Sequence, residues 1–180
     1  MTDLFLSPRT GMAAMRDAGD SAPDAAPVTE ADIRQAQGLL FFAYRDFTNA
    51  ADVLLTELGL GRAHHRALHF IGANPGITVS ELLGILRITK QSLARVLGDL
   101  VEQAYVMQTP GAEDRRQRLL TLTASGAALE QRLFERQRAR LEAAYRAAGP
   151  AAVAGFRAVM QGIMDHEARA YLTGREVKDG

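Results

Sequence analysis

Residues 78–100 read TVSELLGILRITKQSLARVLGDL, and this stretch decides the fold. Thr78 is followed three residues later by Glu81, which is the capping-box pattern that begins a helix. Thr89 can cap a second helix. The buried face of that helix is predicted to consist of Leu93, Val96, Leu97, Leu100 and Val101. Two short helices joined by about three residues have the spacing of a helix-turn-helix.

The segment that follows has the pattern of a β-hairpin. Residues 105–109 and 118–122 are predicted strands, and the loop between them begins at Pro110-Gly111. A hairpin directly after a helix-turn-helix is a wing. The predicted fold class is therefore mostly α with a small β-wing: a winged helix-turn-helix flanked by N- and C-terminal dimerisation helices.

Helical patterns extend on both sides of this module. We predict helices at 29–58 and 62–71 before it and, after it, a long helix that Thr123 caps and Gly149-Pro150 divides. The apolar stripe of the first helix is too long for so small a module to cover. We therefore predict a homodimer. The alternative is an all-α monomer whose ends pack on its own middle.

The predicted organisation has five parts. An acidic disordered tail occupies 1–28, an N-terminal dimerisation helix 29–58 and the winged helix-turn-helix DNA-binding domain 59–123. C-terminal dimerisation helices occupy 124–173, and a second tail occupies 174–180.

The composition excludes several classes of protein. The 180 residues are 47% apolar, and 21 basic residues balance 21 acidic ones. The absence of cysteine excludes disulfides and thiolate metal sites. There is no run of 18 apolar residues and no signal-peptide pattern, so we expect a cytoplasmic protein with no membrane span. Nineteen of the basic residues are arginine, which grips phosphate at two points.

Residues 78–126 resemble the MarR family of winged-helix transcription regulators. Four segments carry the resemblance: TVSEL at 78–82, ITKQSLARVLGDL at 88–100, EDRR at 113–116 and LTASG at 122–126. Order and spacing make this match specific, whereas Asp-Arg-Arg alone would be weak.

The chain also departs from the family pattern at three positions. Ala104 stands where glycine is usual, Gln108 where a basic residue is common, and Leu83 where a small alanine is usual. Segments 41–45 and 61–66 are similar to those of the PetP-like branch of the family.

The resemblance implies a transcription regulator, predominantly a repressor, that binds double-stranded DNA as a homodimer at a pseudo-palindromic operator. The predicted DNA-contacting residues are Thr89, Lys90, Gln91, Ser92, Arg95, Arg115 and Arg116. Gln91 can bond adenine and Arg95 can fork onto guanine. The resemblance assigns the ordering of the wing to Asp114. It leaves open which wing arginine enters the minor groove. The acids Asp99 and Glu102 are expected to face away from the duplex.

Histidines and neighbouring residues give two further predictions. His65 and His69 are spaced to share a metal ion, and the candidates for a further ligand are His166, Glu167 and Asp165. The alternative is hydrogen-bonded or exposed histidines. Family members commonly bind small ligands between the dimer helices and the winged helix. The corresponding residues here are Tyr44, Arg45, His64, His65 and Arg66. An effector-free dimer is the alternative, and no other cofactor is predicted.

Three other functions are weighed against DNA binding. A winged-helix adaptor for another protein is favoured by Ala104, Gln108 and the net charge of only +2 across residues 87–118. A metal- or haem-responsive sensor would use the histidine cluster. An enzyme is disfavoured, because the chain shows no nucleophile–base pairing and no phosphate loop. The arginine-rich run at 132–146 is interpreted as a solvated face with local ion pairs.

Overall fold

The computed structural model describes residues 27–176, with side chains described as far as Leu172. Of the predicted tails at 1–28 and 174–180, the parts at 1–26 and 177–180 lie outside the described residues. The elements are α1 (Glu30–Glu57), α2 (Arg62–Ala73), β1 (Ile77–Thr78), α3 (Val79–Leu86), α4 (Lys90–Glu102), β2 (Val106–Pro110), β3 (Arg118–Leu122), α5 (Ala124–Ile163) and α6 (His166–Glu176).

The chain divides into two units after Gly38. The described part of the first unit is the beginning of α1, where Thr29 Oγ1 accepts the Asp32 amide and the Asp32 carboxylate accepts the Thr29 amide. This is the predicted helix start. The second unit contains the core and every candidate site residue.

Three further predicted helix starts are confirmed. The Thr78 hydroxyl accepts the Glu81 amide at 3.1 Å, and the Glu81 carboxylate accepts the Thr78 amide at 2.8 Å. The Thr89 hydroxyl accepts the amide of Ser92, and the Thr123 hydroxyl accepts that of Gly126. Each cap satisfies an amide that the helix itself leaves without a partner.

The core of the winged helix-turn-helix joins α2, α3 and α4 to the sheet. Its fully buried side chains include Leu68, Ile71, Leu82, Leu93, Leu100 and Leu120. Four of the five residues predicted for the buried face of α4 are buried, but Val101 is 40% exposed. Val101 lies one residue before the end of α4, beside a groove between this helix and β2.

The sheet has three antiparallel strands in the order β1-β3-β2. The predicted hairpin is confirmed, with Val106 opposite Leu122 and Pro110 opposite Arg118. β1 was not predicted, because two residues are too few to show an alternating pattern. It forms because Ile77 pairs with Leu120 of β3.

The C-terminal region differs from its predicted form. Gly149 interrupts α5 with φ 79°, as predicted from Gly149-Pro150. The helix after this break was predicted to continue through Tyr171, but α5 ends at Ile163 and α6 begins at His166. Asp165 Oδ1 accepts the Ala168 amide at 2.9 Å, and this cap starts the new helix. α6 continues to Glu176, beyond the predicted boundary at 173.

Ala104 has left-handed backbone geometry, with φ 57°. Glycine adopts this conformation without the clash of a Cβ. We expect Ala104→Gly to raise the free energy of unfolding by about 0.5–1 kcal/mol, the strain relief less the extra entropy of an unfolded glycine. Ala94→Gly, on the exposed face of α4, is the matched control and should lower it by about 1 kcal/mol. Urea denaturation measures the unfolding free energy of both variants. If glycine destabilises the protein equally at 104 and at 94, backbone strain at Ala104 is contradicted.

Candidate nucleic-acid interface

The outer face of α4 is polar and open to solvent. Its buried side anchors the helix through Leu93, Leu97 and Leu100, so the opposite side is held rigidly outward. All seven predicted DNA-contacting residues are exposed: Thr89, Lys90, Gln91, Ser92, Arg95, Arg115 and Arg116. The face offers amide and guanidinium groups of the kinds that bond base edges.

The N-terminus of α4 is arranged to receive a negative group. Thr89 Oγ1 accepts the Ser92 amide and donates its hydrogen to Ser92 Oγ at 2.8 Å. The Ser92 hydroxyl therefore keeps its own hydrogen for an external acceptor. Free amides at the first turn and the positive end of the helix dipole favour a phosphate at this position.

Asp99 is turned toward α2, and its predicted orientation away from the duplex stays a prediction. Its carboxylate lies 3.0 Å from His64 Nε2, and His64 Nδ1 accepts the Gly61 amide at 3.0 Å. Because Nδ1 is an acceptor, Nε2 carries the ring hydrogen and donates it to Asp99. The pair joins α2 to α4 and points a negative charge away from the outer face of α4.

The wing is ordered by a hydrogen-bonded loop. The Asp114 carboxylate accepts the Arg116 amide at 2.9 Å, and the Asp114 carbonyl accepts the Gln117 amide at 3.0 Å. A Cβ on Gly111 would lie 2.7 Å from that carbonyl, so only glycine fits there without a shift. These contacts support the predicted role of Asp114.

Arg115 and Arg116 project from this loop into solvent. Neither guanidinium makes an ion pair with any residue between 27 and 172. Both are therefore available to phosphate or to a narrow minor groove, whose negative potential attracts an inserted arginine.

We expect Asp114→Ala to loosen the wing and weaken DNA binding by about 3- to 10-fold, which corresponds to the loss of one hydrogen bond. The unfolding free energy should change little, because the loop is exposed. Asp114→Asn is the matched control, since its amide oxygen can still accept the Arg116 amide. Fluorescence anisotropy with labelled DNA measures both variants. If Asp114→Asn weakens binding as much as Asp114→Ala, the charge of the carboxylate matters for binding and the hydrogen bond that orders the loop does not.

The five predicted ligand-site residues are placed as follows. Arg45 Nε contacts Asp46 Oδ1 at 2.8 Å, and its guanidinium lies over the Phe42 ring. Tyr44 and Arg66 are exposed, whereas His64 is bound by Asp99. Burial lowers the pKa of His65, because the charged ring loses hydration, and the neighbouring His69 adds to this effect.

The structure does not bring the predicted metal ligands together. Between residues 27 and 172, no three His, Cys, Asp or Glu side chains could hold one metal ion. His69 Nδ1 lies 3.5 Å from Glu130 Oε1 instead. The structure therefore does not form the predicted ligand set of His65, His69 and His166. The first two lie in α2, and His166 is the first residue of α6.

The arginine-rich face of α5 behaves as predicted. Arg138 pairs with Glu135 at 3.2 Å and with Glu142 at 2.6 Å, at helical spacings of three and four residues. Pairs this exposed contribute little to stability.

One residue of the helix-turn-helix was missed from sequence. Arg87 caps α3 in the left-handed conformation, with φ 50°. Its guanidinium pairs with Asp165, which caps α6, and with Glu167 in the first turn of α6. These carboxylates raise its pKa, Glu167 most, through hydrogen bonding to the charged form. A non-glycine residue at the turn between two short helices is the signal that could have drawn attention to it.

Comparison with known proteins gives matches over most of the chain. A family model described as MarR family matches residues 58–117. The HTH-type transcriptional regulator PetP of Rhodobacter capsulatus is 49% identical over 144 residues, which cover 80% of this chain and 87% of that protein. This agrees with the PetP-like similarity of segments 41–45 and 61–66.

Solved structures share the fold at lower identity. A crystal structure of MarR has a TM-score of 0.61 at 23% identity, covering 77% of this chain and 92% of that one. A mutant MarR from E. coli complexed with operator DNA has a TM-score of 0.60 at 21% identity, covering 77% of this chain and 100% of that one. A SlyA-like transcription regulator from Listeria monocytogenes has a TM-score of 0.61 at 19% identity, covering 86% of this chain and 96% of that one.

No helix in the described part of the chain is both long and apolar enough to cross a membrane. MarR-family proteins are DNA-binding regulators rather than enzymes, in agreement with the non-enzymatic prediction. The family match, the 49% identity and the winged helix lead to one conclusion. The chain belongs to the MarR family of helix-turn-helix transcription regulators.

Proposed function

We propose that the chain represses transcription in the cytoplasm as a homodimer that binds a pseudo-palindromic operator. Each protomer places α4 in a major groove and its wing against the adjacent minor groove. The half-sites lie about one helical turn, roughly 10 bp, apart.

The observation that carries the proposal is the outward polar face of α4. It combines an exposed amide at Gln91, a guanidinium at Arg95 and a capped helix N-terminus. Asp99 is the acid nearest this face along the helix, and its carboxylate is hydrogen-bonded to His64. The wing arginines, which make no ion pair within residues 27–172, extend the same cationic surface.

Exposed apolar side chains support the homodimer. In the second unit, α1 exposes Leu39 at 65%, Phe41 at 64% and Phe42 at 53%. α5 exposes Phe134, Phe156, Val159 and Ile163. Large apolar residues this exposed are typical of a surface that a second chain covers.

The test is selection of the purified full chain against random double-stranded DNA, followed by sequencing of the retained fragments and light scattering for mass. An inverted repeat retained by a dimer supports the proposal. A folded dimer that enriches no sequence overturns it and favours the protein adaptor. A transcription assay then tests repression directly: the protein is added to a promoter that contains the operator, and the amount of transcript should fall.

Modulation by a small ligand remains a further prediction. An anionic aromatic molecule would contact Tyr44, Arg45, His64, His65 and Arg66. Such a ligand would shift the population away from the DNA-binding form. Salicylate is a suitable probe: a fall in operator affinity that Arg66→Ala abolishes would support this site, and no change would count against it.

A further inference from the structure

The C-terminal helix α6 is attached to the helix-turn-helix at two points. At its start, Arg87 Nη1 lies 2.9 Å from Asp165 Oδ2, and Arg87 Nη2 lies 2.8 Å from Glu167 Oε2. Further along, the Tyr171 hydroxyl accepts the Asn74 side-chain amide at 2.7 Å, and its ring packs edge-on against Phe70. α6 therefore spans from the end of α2 to the turn between α3 and α4.

The first attachment point lies directly before the recognition helix. Arg87 ends α3, and only Ile88 separates it from Thr89, the cap of α4. Its left-handed backbone is one that glycine adopts most easily. Strained conformations of this kind persist where surrounding contacts hold them. What arginine adds over glycine here is the guanidinium that Asp165 and Glu167 bind from two sides.

We propose that α6 holds the α3–α4 turn through Arg87 and thereby sets the orientation of the recognition helix. Arg87, Asp165 and Glu167 are positioning residues in this arrangement and need not touch DNA. Exposed ion pairs add little stability, but a two-point contact to a planar guanidinium restricts its direction. The proposal rests on the proposed DNA-binding function, because its main readout is operator affinity.

A different role for Arg87 predicts the opposite change in DNA affinity when the two carboxylates are neutralised. If Arg87 bound a phosphate directly, the two carboxylates would compete with DNA, and neutralising them would strengthen binding. Removing negative charge near a DNA-binding surface has the same effect through general electrostatics. A loss of affinity on neutralising the carboxylates is therefore specific to positioning.

The main variant combines Asp165→Asn with Glu167→Gln in the full chain. Asparagine still caps a helix, so α6 keeps its start. We expect operator affinity to fall about 5-fold or more. Amide hydrogen exchange at Arg87–Lys90 of the DNA-free protein should also accelerate. The matched control is Glu135→Gln with Glu142→Gln, which removes two charges from α5 and should leave affinity unchanged or slightly higher. Unchanged or raised affinity in the main variant overturns the proposal.

Arg87→Gly separates positioning from stability. Glycine removes the backbone strain, so the melting temperature should stay the same or rise while operator affinity falls. Combining Arg87→Gly with the α6 double variant should produce no further loss, because one contact has already been removed. Additive losses would show independent roles and overturn the proposal. If the wild-type chain binds no operator, the proposed function fails, whereas the hydrogen-exchange comparison still decides whether α6 holds the turn.

Discussion

Replacing Gly126 with alanine is expected to lower the free energy of unfolding by about 3 kcal/mol or more. The added Cβ would collide with the carbonyl oxygen of Tyr105, a backbone atom that cannot move aside alone. That carbonyl also accepts the Thr123 amide at 3.0 Å, and Thr123 caps α5 through the Gly126 amide. The clash therefore disrupts the junction between the wing and α5, where β2 begins and β3 ends.

Urea denaturation monitored by circular dichroism measures this loss. Gly98→Ala is the matched control, because a Cβ at this exposed helical position meets no atom within 4 Å. It should raise the unfolding free energy by about 0.5–1 kcal/mol through helix propensity. A Gly126→Ala protein as stable as the wild type would show that α5 can start elsewhere. The close approach would then not explain the glycine of the LTASG segment.

Arg95→Ala is expected to remove discrimination at one base pair of the operator, worth about 1–3 kcal/mol. Arg95 lies on the exposed face of α4, the face proposed to enter the major groove, and has no ion pair in residues 27–172. The variant should bind the preferred operator less tightly while binding one set of single-base variants almost unchanged.

Arg115→Ala in the wing is the contrast. A phosphate or minor-groove contact carries little base identity, so its loss should weaken binding to all operator variants about equally. It should also reduce the slope of log affinity against log salt by about 1. Isotherms on a panel of single-base operator variants distinguish the two arginines. If Arg95→Ala shifts every variant by the same factor, Arg95 contacts phosphate rather than a base.

Local patterns account for most of what could be predicted. The caps at Thr78, Thr89 and Thr123 were read from residues one turn apart, and each is present as predicted. The buried face of α4 followed from spacing, with Val101 as the exception. The Asp114 contact in the wing was expected from the family resemblance. The proposed base-reading residues were also predicted from the spacing in α4, because residues opposite its buried face must lie on its exposed face.

Contacts between distant residues account for what was missed. The two-residue strand β1 exists only because β3 pairs with it, and the break before α6 depends on the Asp165 cap. The bond from His64 to Asp99 joins residues 35 positions apart. That bond gives His64 a structural partner, and its predicted contact with a ligand stays a prediction.

The sequence by itself determined where helices begin, which side of α4 is buried and which family the wing resembles. These properties depend on neighbouring residues and on the 3.6-residue period. The tertiary structure alone decided that Arg87 meets Asp165 and Glu167, which lie some 80 positions away. Such contacts are set by how helices pack in three dimensions, and the spacing of residues along one chain carries no record of that packing.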